Sequence, residues 1–473
     1  MNSHYPVIDA DSHKCENPLV FADYIPRELR NRFELTRDRY GEQRFLFVDR
    51  DPRTGQADFR RVFLQPDGYG KGTYRPYHEE ATIGGLFNRI RLEHMDREGI
   101  DHQVVYGSIT MAFNSLVDSE LAIGLCQAYN TYITEDCAAY EQRLHPVGVI
   151  PLQDPAEAVR ELRRCVLELG MPAVSVVPNV PQPHPAAPEA YPDIRLPKPL
   201  SHPDFDCVWA EAERLDIAVG IHGAPGCQLA AGTADQLDSF TLVHVLANRG
   251  MMQAALAKLI FDGVLERFPG LRFGFLEAGV GWVPDFLHSL HEHWEKRVLH
   301  FDPQVEPSVW EILSETARES AARRRAGAPL RMLGQLRRIF ETSDEEPATK
   351  EQLEAFLYEH PGLPRDPLEY LERGQIFFTF EPDDPGVEYL PSALGPAGKG
   401  IACLALDYGH WDCQLAGCVA SVTARESIDP NFAQQLLSSN ALGLYGDRLH
   451  RRVFERRVEP MVVHQGGVIH GEA

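Results

Sequence analysis

Short apolar runs recur along the chain, separated by longer stretches whose apolar positions follow a helical period. Runs such as VVY, VGVI and VSVV are nearly continuous rather than alternating, which suits strands covered on both faces in a parallel sheet. The pattern predicts strands over 6–9, 103–106, 147–150, 173–177, 218–221, 272–276, 376–380 and 401–406. Helical patterns over 118–142, 155–169, 242–268 and 282–299 lie among them. This βαβ rhythm predicts an α/β fold, a distorted (β/α)8 TIM barrel.

A barrel needs only ~250 residues, so the rest of the chain falls to insertions. Residues 37–82, with alternating pieces such as RFLFV, predict a hairpin cap near the first strand. Residues 178–203 carry nine prolines and predict an extended surface loop. Residues 302–374 carry charged helical patterns, a helical insertion. On this reading 1–473 form one barrel domain with three insertions, not two or three small domains.

Composition narrows the function classes. The 473 residues are 44% hydrophobic and 24% charged, ordinary values that exclude a fibrous or disordered chain. Lys+Arg of 46 against Asp+Glu of 69 gives −23, a field that repels nucleic acid and anionic membrane. One stretch runs the other way: 320–338 holds Arg323, Arg324, Arg325, Arg331, Arg337 and Arg338 and no acid. It reads first as a solvated helix face, and otherwise as an attractor for an anionic substrate or a sister subunit. Nine scattered cysteines without a CxxC pair fit reduced thiols. With no signal-peptide pattern and no apolar run of ~18 residues, the expectation is a cytoplasmic protein without a membrane partner.

The candidate chemistry lies where the strands end. The first closes on Asp9-Ala10-Asp11-Ser12-His13, and alternation puts Asp9, Asp11 and His13 on one face. Three polar groups turned one way in an apolar strand are costly without compensation. A metal at the carboxyl end of the strand would supply it, where barrel active sites lie; an Asx turn would need none. Asp-x-His alone is a weak motif. His222, however, follows AVGI, Glu277 follows RFGFL and Asp407 follows IACLAL. Asp11, His13, His222, Glu277 and Asp407 thus place ligand-type groups at four strand ends, a mixed oxygen–nitrogen metal centre. Zinc, manganese and iron all accept such donors.

The segments VIDADSHKCEN, LIFDGVLERFPGLRFGFLEAGVGWVPDFL, FFTFEPDD, DYGHWD and NALGLYGD span nearly the whole length. On them the chain resembles the amidohydrolase superfamily, in its branch related to aminocarboxymuconate-semialdehyde decarboxylase. The resemblance implies that Asp11 and His13 match the first-strand pair, usually His-x-His or Glu-x-His. His222 matches the fifth-strand histidine and Asp407 the last-strand aspartate, and these four would hold a divalent metal. Glu277 stands where the decarboxylases often have a proton-handling histidine. Asp11 and Glu277 depart from the pattern and enrich the site in carboxylates. His410, in DYGHWD where the family has DYPH, would orient a metal-bound water or the substrate. The fourth strand offers no lysine for a carboxylated bridge, so of one or two ions the second would need Glu277 or Glu381 as its bridge. A homo-oligomer, first of all a dimer, is the family expectation.

Three enzyme readings share this site. The first is a metal-dependent hydrolase of a small organic substrate, with Asp407 or Glu277 handling the proton of a metal-activated water. The second is a non-oxidative decarboxylase, and the third a non-heme diiron monooxygenase on the same barrel. A binding protein that has kept the barrel is the non-catalytic alternative. His244 faces the substrate or makes a structural hydrogen bond. His288, His291 and His293 read as surface or supporting residues, Glu16 as a cap or ion-pair partner, and Trp282, Phe286 and Leu290 as core.

Overall fold

The computed structural model describes residues 5–37, 43–50, 57–63, 79–183, 195–223, 240–296, 363–410, 413 and 415–455, with a few isolated positions near 320. The strands, in order, are β1 (Ile8–Lys14), β2 (Phe33–Arg37), β3 (Gln43–Arg50), β4 (Ala57–Phe63), β5 (His102–Gly107), β6 (Leu144–Pro146) and β7 (Gly148–Val149). They continue with β8 (Ala173–Val176), β9 (Asn179–Pro183), β10 (Arg195–Pro199), β11 (Ala218–Ile221), β12 (Phe273–Phe275), β13 (Ile376–Phe380) and β14 (Ala402–Leu404).

The inner wall is parallel throughout. One sheet runs β1-β5-β6 and the other β14-β13-β12-β11-β8-β7. β6 and β7 are one run of chain that hands over from the first sheet to the second at Val147, whose N–H donates to Val105 O at 2.9 Å. The other seam closes where His13 N donates to Tyr408 O at 2.7 Å and Asp407 N to Asp11 O at 3.2 Å. The result is a (β/α)8 barrel, and each strand predicted from the sequence overlaps one of its staves.

The wall strands are buried on both faces, which is why their sequences do not alternate. Helices cover the outside, among them Ser119–Ala138, whose N-cap Asp118 accepts from Glu120 N and Leu121 N. Inside, Asn440–Phe454 seals the amino-terminal end: Leu444, Tyr445 and Leu449 pack with Ile8, Ala10, Val104, Tyr106 and Ala218. Small wall residues make that plug possible. A Cβ on Gly220 would lie 2.6 Å from the Tyr106 hydroxyl, and one on Gly274 would lie 2.9 Å from Leu444 Cδ2.

In the first insertion, β2, β3 and β4 form an antiparallel meander. It docks on the loop leaving β5: Asp49 accepts from Val117 N at 2.8 Å and Asp118 N at 3.0 Å, and Phe47 stacks edge-on against Phe113. The proline-rich stretch differs from its expectation as a loop, because β9 and β10 pair as an antiparallel ribbon. Pro181, Pro183, Pro197 and Pro199 occupy alternate positions of that ribbon. Their missing N–H groups therefore fall at one set of pairs and leave the other set able to bond. The Arg323–Arg338 arginines and most of 302–374 lie outside the described residues.

Candidate metal centre

β1 does not alternate simply. Asp9 pairs with Gln103 of β5 but Ser12 pairs with Val105, so β1 carries one extra residue between them. The bulge reverses the side-chain parity. Ile8 and Ala10 face the bore below it, Asp11 and His13 above it, and Asp9 points outward. The expectation of one shared face is thereby corrected. Asp9 instead accepts from Gln103 Nε2 at 2.9 Å and Leu406 N at 3.0 Å, holding β1 to its neighbours on both sides. Burial pushes its carboxyl up to about 7, against those hydrogen bonds.

Above the bulge, the five residues singled out from the sequence converge with His410. His13 Nε2 lies 3.0 Å from His222 Nε2, 3.6 Å from Asp11 Oδ1 and 3.2 Å from Asp407 Oδ1. His222 Nε2 is 3.9 Å from Asp11 Oδ1 and 3.8 Å from Glu277 Oε2. His410 Nδ1 is 2.8 Å from Asp407 Oδ1 and 3.1 Å from Glu277 Oε1, and its ring stacks on His13 at 3.9 Å. Glu381, the other carboxylate considered as a bridge, is exposed and belongs to neither ligand cluster of the described residues.

Two of these side chains are aimed by left-handed backbone. Glu277 has φ 56° and Asp407 φ 49°, each costing about 1–3 kcal/mol for a residue other than glycine. Leu276 faces the bore, so ordinary alternation would turn Glu277 away; the left-handed turn brings it back. That turn is clamped from both sides. Asn248 Nδ2 donates to Glu277 O at 2.6 Å, and Glu277 N donates to Thr379 Oγ1 at 3.0 Å. Neither residue was singled out beforehand, although Thr379 is the one polar residue in the strand IFFTF. Arg91 was also missed: fully buried, it donates to Ser12 Oγ at 2.6 Å and to the His13 carbonyl, and lies 4.6 Å over the Tyr408 ring. One of three arginines in NRIRLEHMDRE, Arg91 carries no signal of that burial in the sequence.

Electrostatics divide the site. Burial pushes the Asp11 carboxyl well above its usual range, and neighbouring Glu277 and Asp407 push it further. Burial pushes His13 well down and His222 down to about 4, so both imidazoles are neutral donors. Burial also opposes charge on His410, but Asp407 and Glu277 outweigh it and raise His410 well above the usual histidine range. Asp407 shows the mirror image: burial raises it, and His410, with His13 and His222, more than offsets that.

The donor set fits a divalent cation. Metal–ligand bonds of about 2.0–2.2 Å place neighbouring donors roughly 3.0–3.6 Å apart; the separations among Asp11, His13 and His222 run from 3.0 to 3.9 Å, and Asp407 Oδ1 lies 3.2 Å from His13 Nε2. Asp11 Oδ1 is buried and makes no hydrogen bond. An orphaned acceptor among neutral imidazoles is an arrangement that a cation resolves.

The remaining candidates fall elsewhere. His244 is half-buried and near enough to Asp407 and His410 to feel their charge. His288 contacts Ala393 O, His291 pairs with Asp366 at 2.7 Å, and His293 contacts Ser289 O, all on the outer helix Val283–Trp294. Glu16 accepts from Ser108 N at 3.0 Å and Ile109 N at 3.3 Å, a cap on the turn after β5. Trp282 is core, with Phe286 and Leu290 packed against it.

Carboxylates and imidazoles gathered at the carboxyl end of a parallel barrel define a metal-dependent barrel enzyme in architecture. Comparison with known proteins gives the family. The amidohydrolase family model matches residues 77–348, and the chain belongs to that family, as an enzyme of the amidohydrolase superfamily. The 2-amino-3-carboxymuconate-6-semialdehyde decarboxylase of Dictyostelium discoideum is 26% identical over 226 residues, 45% of this chain and 57% of its own length. The gamma-resorcylate decarboxylase of Rhodococcus jostii (strain RHA1) is 27% identical over 231 residues, 46% of this chain and 64% of its own. The chain thus spans less than two thirds of either relative. Among solved structures, the 5-carboxyvanillate decarboxylase of Novosphingobium aromaticivorans DSM 12444, complexed with manganese and 4-hydroxy-3-methoxy-5-nitrobenzoic acid, superposes with a TM-score of 0.55. It covers 93% of this chain and 96% of its own at 14% identity, a likeness of fold. No helix among the described residues is long and apolar enough to cross a membrane.

Proposed function

We propose that this chain is a divalent-metal-dependent, non-oxidative decarboxylase of a small carboxylated molecule bearing a neighbouring hydroxyl. Asp11, His13, His222 and Asp407 would hold the metal. The relatives named as decarboxylases favour this reading over hydrolysis, which came first from the sequence. The observation that carries it is the buried Asp407–His410 pair beside the ligand set: His410 Nδ1 lies 2.8 Å from Asp407 Oδ1, and the carboxylates of Asp407 and Glu277 favour the charged imidazolium.

A bound cation would fix the substrate carboxylate and its hydroxyl and draw electron density from them. The chain's own groups move the proton. His410, held charged by Asp407 and Glu277, keeps a proton at Nδ1, and Asp407 relays it to the substrate carbon that bears the carboxyl group. The bond from that carbon to the carboxyl carbon then breaks, its electron pair stays with the ring or chain, and CO2 leaves. Water restores the proton to His410. The left-handed backbone of Asp407, at φ 49°, sets the direction of the carboxylate that makes the transfer.

Hydrolysis remains the second reading because of Glu277, a carboxylate able to serve as general base where the decarboxylases often have histidine. Manganese-loaded protein offered a panel of hydroxybenzoic acids in D2O and H2(18)O distinguishes the two. Decarboxylation releases CO2 and leaves deuterium on the carbon that lost it, and a chelator stops it until manganese is returned. Uptake of 18O into a product without CO2 release would overturn it in favour of hydrolysis.

A further inference from the structure

Glu277 Oε1 and His410 Nδ1 stand 3.1 Å apart, yet they follow different strands, β12 and β14. Their separation depends on how the loops after those strands are held. The strand between them is β13, and the loop that leaves it is tied to both sides. Toward β12, Asp384 divides its carboxylate. Oδ1 accepts from Gly386 N at 2.7 Å and caps the short helix Pro385–Tyr389, while Oδ2 accepts from Val280 N at 3.0 Å, in the turn that begins at Glu277. The two backbones touch there, since a Cβ on Gly386 would lie 2.5 Å from Gly281 Cα. Toward β14, Arg425 follows the helix Cys418–Thr423, beyond the His410 loop. It donates from Nη1 to Asp384 O at 2.7 Å and from Nη2 to Pro382 O.

A helix cap needs only one side-chain oxygen. The other oxygen of Asp384 is committed to the neighbouring loop, where it fixes the far end of the turn whose near end Thr379 holds at Glu277 N. A left-handed residue persists only while its surroundings hold it, so both ends of that turn matter to the aim of Glu277. Neither Asp384 nor Arg425 belongs to a ligand cluster of the described residues.

We propose that Asp384 and Arg425 are positioning residues: they strap three loops of the mouth together and so set the distance from the Glu277 carboxylate to His410. The inference rests on the part of the proposed function in which Glu277 helps to keep His410 charged. Arg425 suits the task because its planar fork reaches two carbonyls at once, which a lysine cannot.

The test uses the manganese-loaded full chain and reads CO2 release from whichever hydroxybenzoic acid it accepts. Asp384→Asn keeps one acceptor oxygen and turns an NH2 group toward the other donor. It should lower kcat about 10–100-fold, with KM and manganese content unchanged. Arg425→Met should act alike, and Arg425→Lys, still able to reach one carbonyl, should restore part of the loss; this pair carries the test if Asp384→Asn does not fold. In a Glu277→Gln background, Asp384→Asn should cost less than about 2-fold more, because its effect runs through the carboxylate already removed. Losses that multiply, or wild-type kcat in folded Asp384→Asn, would overturn the inference. A second readout needs no turnover. In the metal-free chain labelled with 15N-histidine, the His410 ring signals, identified by their absence from His410→Gln, should shift in Asp384→Asn toward their Glu277→Gln positions. Unmoved signals overturn the strap whatever the reaction. Shifted signals in a chain that releases no CO2 keep the strap and sink the decarboxylase.

Discussion

At the floor of the barrel bore, Ala10, Val104, Tyr106 and Ala218 close on Leu444, Tyr445 and Leu449 of the last helix, an apolar plug. Toward the carboxyl ends of the barrel strands, Asp11, His13, His222, Glu277 and Asp407 crowd into an almost equally buried space. The floor gains from every contact it makes. The mouth bears the cost of desolvated carboxylates, two left-handed residues and an orphaned oxygen. The difference teaches that stability and chemistry are separated along the strand axis, so the two ends should fail in different ways when altered.

The strongest test sets Leu444→Ala against Asp11→Asn. Leu444 packs inside the floor, and truncating it should cost about 2–5 kcal/mol of stability through lost contacts and a cavity. Metal content should be unchanged. Asp11→Asn is nearly isosteric and removes a carboxyl that burial holds well above its usual range. It should weaken manganese binding by at least about 100-fold while leaving the melting temperature of the metal-free protein unchanged or higher. Thermal denaturation with and without manganese reads both. Equal loss of stability in the two metal-free variants would break the separation.

How much of this was legible depends on whether alternation held. Continuous apolar runs located every stave of the wall, and ligand-type residues directly after AVGI and IACLAL put His222 and Asp407 at the mouth. Asp9 misled because the bulge between it and Ser12 leaves no mark in the sequence: Asp9, Asp11 and His13 look equivalent until backbone register is known. Glu277 had been placed at a strand end, but the turn that aims it depends on Asn248 and Thr379, distant in sequence. Arg91 and Tyr445 reach the site's support from helices that look like ordinary outer cover. The proline-rich ribbon was hidden for another reason, since prolines argue against strands unless their spacing matches the unbonded pairs.

One contact joins the two ends. Tyr445 donates its hydroxyl to Ala10 O at 2.6 Å, inside the bulge that turns Asp11 toward the mouth, and Tyr106 completes the chain at 2.9 Å. Tyr445→Phe leaves a buried carbonyl and a buried hydroxyl each short of a partner, at about 1–3 kcal/mol. If floor and mouth are separate, stability falls while manganese affinity stays within about 3-fold, far below the effect of a lost ligand. A metal-binding loss as large as that of Asp11→Asn would instead make the floor part of the site.

The smallest effect sharpens the comparison just outside the bore, at Glu16. Burial raises its carboxyl to about 8, although the Ser108 and Ile109 N–H groups favour the charged form. Below the unfolded value of 4.5 both states hold the proton and Glu16 makes no difference. Between that value and about 8 the folded protein keeps the proton and the unfolded chain releases it, so rising pH favours unfolding. Within that window each pH unit should remove on the order of 1 kcal/mol from the wild type. Glu16→Gln cannot release a proton, so its melting temperature should gain on the wild type from about pH 5.5 to about pH 7.5. Parallel melting curves for the two proteins across that range would show that Glu16 is already ionised in the fold. The carboxylate would then be stabilised by its two backbone donors as fully as by water, and burial without a metal would carry no electrostatic penalty at this end of the barrel.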